Sequence, residues 1–306
     1  MPHYDIVALG EPLIEFNQTA PGEPRFLQGY GGDTSNATIA AARQGARCAY
    51  LTRVGDDAFG AQFRALWRAE GVDDAGVLTD PQAHTAVYFV THGPDGHVFS
   101  YLRSGSAASR MHPDDLGHGL IERARFLHVS AISQAISISA CDTVYAAIAR
   151  ARAAGVQVCY DSNLRLRLWS RERARAVLRD TLASADWFLP SLEDMQTLTG
   201  IEAPEAILDW SRAAGARHIV LKLGREGAIL DDGVGRLRVA PHAVTAVDAT
   251  GAGDCFAGNF LARLAAGDAP ADAVRWANIA AALSTTGFGA VAPLPRPEQV
   301  RAILGD

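Results

Sequence analysis

Val247-Asp248-Ala249-Thr250-Gly251-Ala252-Gly253-Asp254-Cys255-Phe256-Ala257-Gly258 is the stretch on which the reading of this chain turns. Upstream, Leu237-Arg238-Val239 is a β-type run. Downstream, Phe256, Phe260, Leu261 and Leu264 recur at helical spacing, so Gly251-Ala252-Gly253 falls where a loop becomes a helix. Small residues there let backbone N–H groups approach a ligand closely. The first N–H groups of a helix lack partners inside it, and the helix dipole is positive at that end, which together make an anion site. Asp254 is the odd member, because a carboxylate repels phosphate. It fits if it takes a proton from a hydroxyl that attacks phosphorus. The plainer reading is an ordinary helix start with Asp as a capping residue.

Composition narrows the setting. The 306 residues are 48% hydrophobic and 20% charged, enough for a large core in one big domain or a domain with a small appendage. A net charge of −6 leaves no basic footprint for nucleic acid. No apolar run is long enough to span a bilayer, and Met1-Pro2-His3-Tyr4-Asp5 lacks the basic and apolar regions of a signal peptide, so a cytoplasmic location is expected. Cys48, Cys141, Cys159 and Cys255 are scattered without metal-type spacing and read as reduced, mostly buried thiols. Nothing near Cys255 argues for a nucleophilic thiolate. His112, His118 and His128 read as ordinary surface or core residues. The P-loop pattern and the protein-kinase motif set are both absent.

Taken in order, the chain opens with the apolar run Asp5–Leu9, read as a buried strand ending at Gly10. Glu11 to Tyr30 is mixed and proline-punctuated, suiting a hairpin away from the main core. A helix runs from the Gly31-Gly32-Asp33-Thr34-Ser35-Asn36 cluster, where a polar residue can cap it, to about Gln44. A strand at Cys48–Val54 and a helix at Ala58–Glu70 follow. Phe59, Phe63 and Trp67 on that helix form a core stripe. Ala86–Val90 and Val98–Leu102 flank the turn Gly93-Pro94-Asp95-Gly96 and predict a second hairpin, paired with the first as a small separate sheet. From about Arg125, strands and helices alternate, with strands at Phe126–Val129, Val156–Tyr160, Trp187–Leu189, His218–Lys222 and Ala228–Leu230. This pattern predicts an α/β fold whose mostly parallel sheet is covered on both faces, with ligands beyond the carboxyl ends of the strands.

Polar clusters fall at those strand ends. Asp33 and Asn36 can accept hydrogen bonds from sugar hydroxyls while Gly32 lets a substrate lie against the backbone; the alternative is ordinary capping. In Asp161-Ser162-Asn163-Leu164-Arg165 the arginine fork could clamp a carboxylate or phosphate, against a surface ion pair as the plain reading and Arg167 as a competitor. Lys222-Leu223-Gly224-Arg225-Glu226-Gly227 is either a loop passing nucleotide phosphates or a simple hairpin turn.

The run Asp-Ala-Thr-Gly-Ala-Gly-Asp and these clusters, in order along nearly the whole chain, resemble the ribokinase (phosphofructokinase-B-type) family of sugar kinases. The resemblance implies a ribokinase-like three-layer α/β/α core spanning 1–306, with a β-sheet lid from about 11–31 and 85–103 that often mediates homodimers. It implies Asp254 as catalytic base and Gly251, Ala252 and Gly253 as the anion hole. Lys222, Gly224 and Gly227 would meet ATP, and Asn278 with Gly287–Ala290 would line the adenine pocket. Where the family usually has Asn-x-x-Glu, this chain has Ser191 and Asp194, so Asp194 would order Mg2+ with a shorter reach. Asp248, Thr250 and the loop near Gly289 resemble the site at which many members bind a monovalent cation, K+. Within the family, Gly10-Glu11-Pro12-Leu13, Tyr101–Ser109, Phe126–Ile132 and Asp161–Arg165 are similar to the 2-keto-3-deoxygluconate kinases. That likeness implies a sugar-acid substrate contacted by Tyr88, Tyr101, Arg103, Asn163 and Arg165. A fructokinase, a ribokinase, a nucleoside kinase or a non-catalytic sugar-binding regulator are the other readings.

Overall fold

The computed structural model describes residues 3–93, 96–117 and 119–305. Pro94 and Asp95 of the expected turn lie outside the described residues, as do His118, Met1, Pro2 and Asp306. The chain starts with β1 (Tyr4–Leu9) and a hairpin of β2 (Leu13–Gln18) and β3 (Phe26–Gly31), then α1 (Asp33–Arg43), β4 (Cys48–Gly55) and α2 (Ala58–Ala69). Phe63 and Trp67 of α2 are fully buried and Phe59 packs against the same core, as their spacing implied. Two strands absent from the sequence reading follow, β5 (Val72–Asp73) and β6 (Val77–Asp80), both too short to show a period. The second hairpin is β7 (Ala86–Gly93) and β8 (Gly96–Leu102). The alternating part runs β9 (Ala124–Ser130), α3 (Ala131–Ala135), α4 (Ile138–Ala153), β10 (Gln157–Asp161), α5 (Arg171–Leu182), β11 (Trp187–Leu189), α6 (Leu192–Thr199) and α7 (Pro204–Ala213). It ends with β12 (His218–Lys222), β13 (Ala228–Asp231), β14 (Arg236–Val239), α8 (Ala252–Ala266), α9 (Pro270–Ser284) and α10 (Pro297–Leu304).

The main sheet has the order β14-β13-β12-β11-β10-β9-β1-β4-β5, with β6 also on β4. Pairing is parallel from β5 to β12 and antiparallel from β12 through β14. Side-chain alternation divides its two faces. Ile6, Tyr50, Phe126, Cys159 and Val220 join a core with α1, α2, α8 and α9, while Val7, Leu127, Val158, Phe188 and Leu221 join a second core with α4 to α7. Burial on both faces is why these strands read as continuous apolar runs.

A separate sheet has the order β3-β2-β7-β8, its two hairpins joined by parallel pairing of β2 with β7. Its own apolar cluster is small, Leu13, Ala86, Tyr88 and Val90 with Phe99 packed on. Among the described residues no helix is long and apolar enough to cross a membrane.

Candidate active site

Helices α1 and α8 lie against each other so closely that a Cβ on Gly258 would stand 2.1 Å from the carbonyl oxygen of Ala37. That approach brings their first turns together, and Asn36 Nδ2 donates to Asp254 Oδ2 at 2.9 Å. Neither helix start is capped by a side chain. The N-cap of α1 is Gly32 at φ 104°, and that of α8 is Gly251 at φ 76°. In contrast, Asp57, Ser137, Ser170 and Ser191 cap α2, α4, α5 and α6. Asp33 is therefore not a cap. It is the first helical residue, and its Oδ1 accepts the N–H of its neighbour Thr34 at 2.8 Å. A left-handed glycine supplies no side chain to the first-turn N–H groups and leaves them for a ligand.

The floor of the site comes from the sheet. Cys159 and Val220 face the α1/α8 side, so Asp161 and Lys222, two residues further along β10 and β12, face it too at the carboxyl ends. Lys222 Nζ donates to Asp161 Oδ2 at 2.7 Å, with both side chains largely buried. Lys222 Nζ is also 3.6 Å from where a Cβ on Gly253 would stand. Asn163 Nδ2 donates to Asp33 Oδ2 at 2.9 Å, so an asparagine amide orients each of Asp33 and Asp254. Among the described residues Asn36 Oδ1, which is buried, has no hydrogen-bond partner, an acceptor suited to a hydroxyl donor.

Asp254 is half-buried and close to other carboxylates. Burial first, then the charges of Asp33 and Asp161, push its carboxyl up to about 8, while the Asn36 hydrogen bond and Lys222 pull the other way. A carboxyl held there suits a base working near neutral pH. His128, read from sequence as ordinary, is buried on the same sheet face with Nδ1 unpartnered, and burial lowers its pKa. Its place two residues after Phe126 was the available signal. Burial pushes the Cys255 thiol up to about 12, which leaves it protonated and unreactive near neutral pH.

On the side of the small sheet, buried Arg103 pairs with fully buried Glu11, which also accepts from Ser106 Oγ at 2.7 Å. Arg103 Nε is buried without a partner. Tyr88 donates its hydroxyl to buried Glu15 and stacks on Tyr101 with ring centroids 5.7 Å apart. Arg165 is exposed, its Nη1 donating to the Leu164 carbonyl at 2.8 Å. Arg167 instead reaches the small sheet, with Nη1 2.9 Å from Phe99 O. The two arginines expected to act together are thus differently engaged, one by a buried carboxylate and one along its own loop.

The remaining candidates surround this centre. Ser191 Oγ accepts the Asp194 N–H at 3.1 Å, and Asp194 Oδ2 accepts from Ser162 Oγ at 2.9 Å, which ties it to the end of β10. Among the described residues no group of three or more His, Cys, Asp or Glu side chains could hold a metal ion. Asp194 offers a single carboxylate, a donor suited to a magnesium ion carried in on phosphates. Gly224 opens a tight turn closed by Leu223 N to Gly227 O at 2.8 Å, and a Cβ on Gly227 would stand 2.2 Å from Val239 O. Asn278 Nδ2 donates to Val239 O at 3.3 Å and Ala240 O at 3.1 Å, pinning α9 to the end of β14. Asp248 accepts the Thr250 N–H and O–H on Oδ1, at 2.9 and 2.7 Å, and the Gly289 N–H on Oδ2 at 2.9 Å. Its carboxylate clips the loop before α8 to the Gly289 turn.

A carboxyl raised in pKa beside an uncapped helix start suits phosphoryl transfer, in which a hydroxyl and an anion meet, and α/β folds receive ligands at the carboxyl edge of the sheet. Fold and site define a small-molecule kinase. The pfkB family carbohydrate kinase domain matches residues 4–297. The chain is 36% identical to 2-dehydro-3-deoxygluconokinase of Thermoproteus tenax over 98% of its own length and 94% of that protein's. It is 34% identical to fructokinase-1 of Zea mays, over 98% and 97%. A fructokinase from Vibrio cholerae O395, solved with fructose, ADP and calcium ion, superposes with TM-score 0.88 at 30% identity, covering 98% of this chain and 99% of that one. An E. coli protein solved with ATP and Mg2+ shares the fold at TM-score 0.91 and 24% identity, covering 99% of each chain. The chain belongs to the pfkB family of carbohydrate kinases, and its fold is the ribokinase-like α/β/α core with a small second sheet that the sequence implied.

Proposed function

We propose that the protein transfers the γ-phosphoryl group of ATP to the C6 hydroxyl of 2-keto-3-deoxygluconate, with Asp254 as general base. The observation that carries the chemistry is the Asp254 carboxyl, oriented by Asn36 at 2.9 Å and raised in pKa beside the uncapped start of α8. Asp254 takes the hydroxyl proton as the new O–P bond forms and ADP leaves. Asp33, Asn36 and Asn163 hold sugar hydroxyls above Gly32. The N–H groups of Gly251, Ala252 and Gly253 receive phosphate, and Lys222 borders the nucleotide. Gly224, Gly227 and Asn278 border the nucleotide. Ser191 positions Asp194, which would hold Mg2+; that ion supplies charge neutralisation on the phosphates. Asp248 and Thr250 would hold K+. The small sheet acts as a lid that excludes water, and its exposed Leu27, Val98 and Leu102 support a homodimer through it.

The sugar-acid assignment draws on the 36% identity to a 2-dehydro-3-deoxygluconokinase and on Arg103 and Arg165, with Tyr88 and Tyr101 beside them. A specific observation favours a neutral sugar, fructose, as the second reading: Glu11 already neutralises Arg103. The test is ATP consumption with magnesium and potassium across 2-keto-3-deoxygluconate, 2-keto-3-deoxygalactonate, fructose, ribose and adenosine. Turnover with keto-deoxy acids alone is expected. Turnover with fructose or ribose alone would discard the sugar acid, and silence with sugar binding intact would make the protein a regulator. In Arg165→Ala, kcat/KM for the acid should fall by about 10–100-fold, the worth of one charged hydrogen-bonded contact, with fructose unaffected.

A further inference from the structure

The Asp161–Lys222 pair is a buried ion pair that reaches across β11 from β10 to β12. Buried ion pairs add little to stability when set against apolar packing of the same volume. This one sits at the carboxyl edge, its ammonium aimed at the first turn of α8, 3.6 Å from the Cβ position of Gly253. The glycine leaves that point open. Among the described residues, Lys222 Nζ is the only atom within 4 Å of it outside the glycine's chain neighbours and the backbone of α8.

We propose that Lys222 contacts the phosphoryl group in transfer and that Asp161 is the positioning residue that holds it there. This rests on the reading of Asp254 as the base, and it adds a cation supplied by the sheet to the anion site supplied by the helix. In the step itself the hydroxyl oxygen forms its bond to Pγ, the bond from Pγ to the bridging oxygen breaks, and ADP leaves with that electron pair. The hydroxyl proton goes to Asp254. Lys222 stays protonated throughout and neutralises charge on the transferring oxygens. Asp161 keeps the ammonium from collapsing onto Asp254, which an unpaired lysine would otherwise engage.

The groups facing Asp254 are Asp33 and Asn36 from α1, Asp161 from β10, Lys222 from β12, and the buried phenols Tyr50 from β4 and Tyr88 from β7. Of these, Asp161 raises the Asp254 pKa and Lys222 lowers it. Removing each should therefore move the acid limb of kcat/KM in opposite directions. Asp161→Asn moves it to lower pH and Lys222→Met to higher pH, each by about one unit. These shifts report the nearness of the pair to Asp254; whether Lys222 meets the phosphoryl group is decided by nucleotide binding.

The deciding measurement needs no turnover. Calorimetric binding of ADP and of the β,γ-imido analogue of ATP, each with magnesium, is compared in wild type, Lys222→Met and the Asp161→Asn/Lys222→Met double variant, which removes both charges of the pair. Loss of affinity for the imido analogue by about tenfold or more, with ADP binding nearly unchanged, is expected. Equal loss for both nucleotides, or none for either, overturns the assignment. An inactive Asp254→Asn alongside unaltered Lys222→Met would sink this proposal and leave the base in place. An active Asp254→Asn with selective loss in Lys222→Met would do the reverse.

Discussion

Replacing Asp254 by Asn should lower kcat by about 10²–10⁴-fold, the usual worth of a positioned base, while ADP binding stays close to wild type. The same substitution should make the folded protein more stable. Burial and the neighbouring charges of Asp33 and Asp161 hold the Asp254 carboxyl well above its ordinary range. Between the ordinary carboxylate pKa and about 8, the unfolded chain releases this proton and the native state keeps it. Stability therefore falls as pH rises through that window, and the deficit is complete above it. Asn cannot ionise, so its advantage should be absent near pH 3 and reach on the order of 1–3 kcal/mol by pH 8. Denaturant midpoints for the two proteins at several pH values measure it directly. In the wild type, kcat/KM should climb through neutral pH as the base ionises. A flat acid limb, or equal stability of the two proteins at pH 8, would remove Asp254 from the role.

Much of this centre was legible because it is built from local signals. Gly251-Ala252-Gly253-Asp254 announces a helix start with room for an anion, and Gly32-Asp33 with Asn36 announces another. Strand alternation and glycine-closed turns gave the layered sheet, and proline-punctuated hairpins gave the small one. The pairings across the site were not legible. That Asp161 meets Lys222, or that Asn163 holds Asp33 130 positions away, depends on strand order and register. Sequence alone showed only that these residues end strands. Glu11 is the clearest case. It lies in a run quoted for its likeness to sugar-acid kinases, yet its pairing with Arg103, which follows β8 more than 90 positions on, appears only in the fold. Asn278 differs in another way. The family resemblance implies a place for it near the nucleotide, and the fold engages its amide with two backbone carbonyls, so any adenine contact falls to its other atoms.

Two glycines five positions apart in α8 separate architecture from chemistry. A Cβ on Gly258 would stand 2.1 Å from Ala37 O and 2.9 Å from Ala40 Cβ, and a backbone oxygen cannot swing aside as a side-chain tip can. Gly258→Ala must push α1 away from α8. Even after the gain of about 1 kcal/mol from better helix propensity, the fold should lose about 1–3 kcal/mol. Turnover should fall with it, because the shift carries Asn36 off Asp254. Among the described residues outside its own helix backbone and chain neighbours, Gly253→Ala meets only Lys222 Nζ, at 3.6 Å, on a half-open first turn. Its stability should hold or rise, while under the proposed mechanism a methyl group at the anion site should cost about 10²–10³-fold in kcat, comparable to losing one donor to a developing anion. Urea melts and initial rates on both variants give four numbers. A Gly253→Ala enzyme that is stable and fully active would show that no phosphate approaches the start of α8, and the kinase mechanism built on that helix would fall. A Gly258→Ala protein as stable as wild type would show that α1 and α8 are not locked at the distance that holds Asn36 on Asp254.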